Sequence, residues 1–122
     1  MSETNDNPQI GWCQINNLEC LKFTFEGRLT EEDALKAISR WKEMFNSMKD
    51  QKIILVWNCI DMTGYEPMAR MSWQRTIKEL KDQIERIWLI TDSAVIKAGA
   101  NLISIFTSFE IKVVKSEDKI SL

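Results

Sequence analysis

Two short runs constrain this chain more than any other feature: KIILVW at residues 52–57 and IERIWLI at residues 84–90. In the first, Ile53, Leu55 and Trp57 alternate with Ile54 and Val56. In the second, Ile87 and Leu89 alternate with Trp88 and Ile90. Successive strand side chains point to opposite faces, so a strand apolar in both sets must be covered on both sides, as central strands of a parallel sheet are. Segments of helical period separate these runs, which predicts βα units.

The remaining elements follow from period and punctuation. GWCQINN and CLKFTFEG read as a hairpin turning at Asn16-Asn17, with Leu21, Phe23 and Phe25 alternating with polar residues. Thr30 followed by an acidic first turn and by Ala34, Leu35, Ile38, Trp41 and Phe45 predicts a helix over about 30–46. Pro67 at N1 opens a second helix to about Lys81, with Met68, Met71, Ile77 and Leu80 along one side. Thr91-Asp92-Ser93 caps a third over about 93–106, in which Gly99 marks close packing of the helix on the sheet. FEIKVVK reads as the last strand, and SEDKISL as one short terminal helical turn.

The expected order is β-β-α-β-α-β-α-β in a single domain over residues 10–122, after a disordered, polar lead-in over residues 1–9. The fold class is α/β, a mixed, mostly parallel sheet of about five strands. An antiparallel N-terminal hairpin leads into βα units with the helices mainly on one face. Right-handed crossovers in sequential order leave the opposite face bare, and a bare apolar face predicts a homodimer.

Composition narrows the chemistry. The 122 residues contain no histidine, which removes imidazole-based triads, general bases and most zinc sites. No cofactor and no metal are expected, and neither is an enzyme. Three widely spaced cysteines, Cys13, Cys20 and Cys59, fit reduced thiols. A net charge of -2 without a basic face argues against nucleic acid, and no apolar stretch approaches the roughly 18 residues of a membrane span. The polar N-terminus has no secretory pattern, so the expected location is cytoplasmic.

FEGRLTEED before the first helix, the central IILVWNCIDMTGYEP, and IERIWLITDS before the third helix together resemble the STAS superfamily. The match is narrower to its SpoIIAA-like branch, which is also likened to the CRAL-TRIO lipid-binding fold. The resemblance implies a non-enzymatic regulator that binds proteins in bacterial signalling. In anti-sigma-factor antagonists a Ser within Asp-Ser-Ser-Gly is phosphorylated by a partner kinase. Here the matching string is Asp61-Met62-Thr63-Gly64, with Met62 at the acceptor position and Thr63 one residue late. Aligned instead on the helix start, the acceptor falls near Tyr65 or Glu66, so neither alignment keeps the Ser.

The candidate site is therefore the strand-to-helix corner Asp61, Met62, Thr63, Gly64 and Tyr65, together with Thr91, Asp92 and Ser93 at the neighbouring strand end. Ligand crevices of open α/β sheets lie at that edge. The two clusters are expected to share one crevice that meets an unidentified protein partner. The alternative reading is a module for a small apolar or lipid-like ligand, rimmed by Met62, Tyr65 and Met68. A structural reading stands beside both: Asp61 and Thr63 as turn and capping residues, Gly64 at positive φ, and Cys59 as a buried thiol.

Overall fold

The structure, a computed structural model, describes residues 6–121. Its elements are β1 (Gln9–Ile15), β2 (Leu18–Leu29), α1 (Glu31–Asn46), β3 (Ile53–Tyr65), α2 (Pro67–Leu80), β4 (Ile84–Ile90), α3 (Ala94–Thr107) and β5 (Ile111–Val114), with 3-10 turns at Lys81–Gln83 and Glu117–Lys119. The five strands lie in sequential order. β1 and β2 are antiparallel, and every later pairing is parallel. Positive φ at both Asn16 and Asn17 gives the two-residue hairpin turn whose twist matches the strands.

The caps form where the sequence places them. Thr30 accepts from Asp33 N at 3.1 Å, and Ser93 accepts from Ile96 N at 3.3 Å. α2 is rotated relative to expectation. Ala69, Ser72, Trp73, Thr76 and Ile77 face inward, whereas Met68 and Met71 are exposed. Small residues on the inner face let Trp73 enter an aromatic cluster with Phe23, Phe25, Trp41 and Trp57, at ring separations of 5.1–6.2 Å. Packing of that ring outranks burial of two flexible methionines.

All three helices pack on one face of the sheet, over Leu21, Phe23, Leu55, Trp57, Ile87 and Leu89. The other face is not bare. After β5 the chain crosses it and seats Ile120, fully buried, against Ile15, Cys20, Ile54, Val56, Trp88 and Ile90. Asn16 Nδ2 donates to Ile120 O at 2.6 Å, and Lys22 pairs with Glu117. The expected bare face is corrected by this return of the chain, and the case for a homodimer built on it falls with it.

The lead-in is also corrected in part. Asn7 exchanges two hydrogen bonds with the backbone of Glu26, and Arg40 on α1 donates to Pro8 O at 3.0 Å and pairs with Asp6 at 3.7 Å. Residues 6–9 are thereby held, and Gln9 already belongs to β1. Residues 1–5 of the expected disordered segment lie outside the described residues.

Candidate functional site

Asp61 to Tyr65 do not form a loop. β3 continues as a strand to Tyr65 because β2 continues to Leu29 and supplies its partner, pairing Glu26 with Asp61, Gly27 with Met62, Arg28 with Gly64 and Leu29 with Tyr65. The only residue between β3 and α2 is Glu66. Its N–H donates to Leu29 O at 2.9 Å, and its carboxylate accepts from Glu31 N at 2.8 Å, so it ties the starts of α1 and α2 together. Gly64 lies in the strand, and the glycine at positive φ is Gly27.

Two register shifts decide what this extension presents. Between Thr24 and Glu26 on β2, and again between Gly27 and Arg28, β3 advances one residue more than its partner. Each extra residue reverses the alternation of side chains. The inward set therefore runs Cys59, Met62, Tyr65, at a spacing of three rather than two. Asp61 and Thr63 fall on the exposed side.

Met62 and Tyr65 are thus carried over the ends of β2 and β3 and help to enclose a cavity of about 60 Å³ between α2 and α3. Its floor is Phe25 and Leu29 of β2, Trp57 and Cys59 of β3, and Leu89 of β4; α3 contributes Ile96, Gly99, Ala100 and Ile103, and α2 contributes Arg70 and Trp73. Gly99 makes room for Tyr65 rather than for the sheet. A Cβ at position 99 would stand 2.5 Å from the Tyr65 hydroxyl oxygen and 2.8 Å from its ring carbons Cε2 and Cζ.

The two polar clusters do not share this cavity. Met62 and Tyr65 line it; Asp61, Thr63, Gly64, Thr91, Asp92 and Ser93 do not. Thr91 is buried and inward-tied: its N–H donates to Val114 O at 3.0 Å and its hydroxyl accepts from Ser93 N at 3.1 Å. Ser93 is the N-cap of α3, and Asp92 is exposed. Met68, expected at the rim, lies outside, and Arg70 takes a place in the wall that periodicity did not single out. Its sequence signal is its place one turn beyond Glu66 and three residues before Trp73, on the side of α2 that Trp73 directs inward.

Electrostatics disfavour Cys59 as a nucleophile. Burial pushes its thiol up to about 12, so it stays protonated at neutral pH. Cys20 is pushed up to about 11 chiefly by burial, with the neighbouring Cys13 adding to the rise. Cys13, directly across the hairpin from Cys20, is raised chiefly by burial. Among the described residues no group of three or more Cys, Asp or Glu side chains is arranged to hold a metal ion. No described helix is long and apolar enough to cross a membrane.

Outside the cavity, α3 carries an apolar face of its own. Val95, Ala98, Leu102, Ile105 and Phe106 fall within about 100° of arc at 3.6 residues per turn. Val95, Ile105 and Phe106 are each more than half exposed, and Leu102 is 38% exposed. Lys97 is the one charged side chain of the helix.

Comparison with known proteins agrees with this architecture. A search of curated proteins returns no match. Among solved structures, an uncharacterized protein of the DUF3478 family with a SpoIIAA-like fold, from Shewanella loihica PV-4, superposes with a TM-score of 0.76 at 18% identity, over 98% of this chain and 94% of that one. The model of the SpoIIAA-like family matches residues 20–120, from the second strand through Ile120 of the returning tail, and the chain belongs to that family.

Proposed function

We propose that this domain is a non-enzymatic regulatory module that binds a protein partner through the outer face of α3. One observation carries the reading: Val95, Leu102, Ile105 and Phe106 form an exposed apolar stripe on a helix whose other side is already packed on the sheet. A soluble domain that keeps four large apolar side chains in one exposed row has a use for them in recognition. The absence of histidine from the chain and the protonated state of Cys59 support the non-enzymatic part. The test is affinity capture from source cells, using the wild type and a Leu102→Asp, Phe106→Asp double variant with matched far-UV circular dichroism. The expected result is a partner retained by the wild type and lost by the variant. Equal capture by both baits, or nothing above control on either, overturns the reading.

A second reading has its own observation. The cavity behind Tyr65 has an almost wholly apolar wall and opens between two helices, the arrangement of a small-ligand pocket. On this reading the domain holds a small apolar molecule there. Binding of an uncharged apolar probe that perturbs Trp57 and Ile96 supports it, and an inert cavity overturns it.

A further inference from the structure

The face of the hairpin under the returning tail carries two thiols on one rung. Cys13 of β1 and Cys20 of β2 are direct partners in the antiparallel register, and both pack in the cluster around Ile120. We propose that this pair closes to a reversible cross-strand disulfide by exchange with a low-molecular-weight disulfide, and that residues 117–120 of the tail gate the reaction.

Geometry comes first. Antiparallel partners have Cα atoms about 4.5–5.5 Å apart, inside the range of about 4.4–6.8 Å that a disulfide spans. Their Cβ atoms stand about 4.5–5.5 Å apart, against about 3.8 Å in a disulfide, so the strands must draw together locally. β1 is the edge strand and has only β2 as a neighbour, so it can follow. No other pairing competes within the chain, because Cys59 belongs to the core under the helices, on the opposite face of the sheet.

The gate follows from the two anchors of the tail. Glu117 pairs with Lys22, two residues beyond Cys20 on the same face, and Ile120 O accepts from Asn16 Nδ2 in the hairpin turn at 2.6 Å. The rung lies between those anchors, so the segment that joins them passes over it. Cys20 is 0% exposed and Cys13 is partly exposed. An incoming disulfide therefore meets Cys13 first. Exchange needs a thiolate, and burial raises both thiols, which keeps the pair slow while the tail is seated. Lifting the tail removes that burial together with the Glu117 carboxylate, which also raises both, and leaves Lys22 to favour the Cys13 thiolate.

The steps balance. With oxidised glutathione, the Cys13 thiolate attacks one sulfur, forms a mixed disulfide and releases one glutathione thiolate. The Cys20 thiolate then attacks the Cys13 sulfur, forms the bond between the two cysteines and releases the second glutathione thiolate. The protons shed by the two protein thiols end on the two glutathiones, so the protein is oxidised and glutathione disulfide is reduced.

Intact-mass spectrometry with peptide mapping on the full chain, in buffers of graded reduced-to-oxidised glutathione ratio at neutral pH, tests both parts. The wild type is expected to lose two hydrogens, retain no glutathione and return to the thiol form in excess reduced glutathione. Cys20→Ser should stop at a mixed disulfide with glutathione on Cys13. Ile120→Ala, with the tail loosened, should close the pair at least about tenfold faster, the factor that about 1.4 kcal/mol of lost anchoring gives, while Cys59 stays unmodified in both proteins. A wild type that stays reduced even in oxidised glutathione alone, or that holds glutathione on Cys13 without closing, overturns the pair. Equal rates in the wild type and Ile120→Ala overturn the gate, and so does modification of Cys59 in step with the pair, which would mean that exchange follows global unfolding.

Discussion

At the scale of single residues, polar side chains that look chemical in the sequence are mostly spent on holding the backbone. Thr91 and Ser93 satisfy the amides that start α3, and Glu66 caps α1 from across the β3–α2 junction. Cys59 carries the residue-scale prediction. Its thiol is raised to about 12 in the fold, against about 9 when unfolded. A folded pKa above the unfolded one contributes stability that is fully present below the unfolded value and is lost as pH rises toward the folded one. Between pH 9 and 12 the unfolded chain ionises at this position while the folded chain does not. Cys59→Val, which cannot ionise, should therefore track the wild type from pH 7 to 8.5 and then outlast it. At pH 10.5 the gap should reach about 2 kcal/mol, at about 1.4 kcal/mol per pH unit beyond the unfolded value. Urea unfolding of the two proteins at pH 7.5, 9 and 10.5 reads it. Parallel curves at every pH would mean that the Cys59 environment is wetter than its burial implies.

At the scale of elements, what could be read from the sequence was what depends on local period. β2, β3 and β4 showed their two faces by strict alternation, and α1 and α3 showed their starts by capping residues. What escaped was whatever depends on a neighbour. The strand at 61–65 exists only because β2 runs on to pair with it, and the two extra residues that turn Met62 and Tyr65 inward leave no mark in composition. The inner face of α2 is ambiguous in the sequence because two methionines match a helical stripe as well as Trp73 does, and only the aromatic cluster beneath decides between them. Gly99 shows the same dependence and supplies a prediction. Replacing Gly by Ala inside a helix should gain about 1 kcal/mol in propensity, but here the new methyl group must displace the Tyr65 ring. Gly99→Ala is expected to be neutral or destabilising in the wild type and stabilising by about 1 kcal/mol in a Tyr65→Ala background. A double-mutant cycle by urea denaturation measures the coupling. A substitution that stabilises both backgrounds equally would show that Tyr65 does not rest on α3.

At the scale of the whole molecule, the deciding element is the segment after β5. An open sheet with all its helices on one side has to hide its second face, and self-association is one common route. This chain takes another route. Residues 116–120 cross from the β5 edge to the hairpin at the far edge, held by the Lys22–Glu117 pair and the Asn16–Ile120 hydrogen bond, with Ile120 wholly buried between them. The segment contributes one large apolar side chain and a covering backbone, yet beneath it Val56 and Ile90 are almost completely shielded from solvent. Removing residues 116–122 should therefore act twice. Loss of the Ile120 contacts should cost about 2–5 kcal/mol, the range for truncating a buried aliphatic side chain. The uncovered Ile54, Val56, Trp88 and Ile90 should then make the shortened chain self-associate. Ile120→Ala separates the two effects, because it should lose much of the same stability while the backbone of the tail still covers the face. Sedimentation velocity over a concentration series, with thermal melts of the three proteins, distinguishes them. The shortened chain should sediment as a concentration-dependent dimer or larger species, and Ile120→Ala should match the wild type in mass but melt lower. A shortened chain that matches the wild type in both mass and melting temperature would mean that the tail does not shield the face, and the homodimer first expected from the two doubly apolar strands would regain its basis.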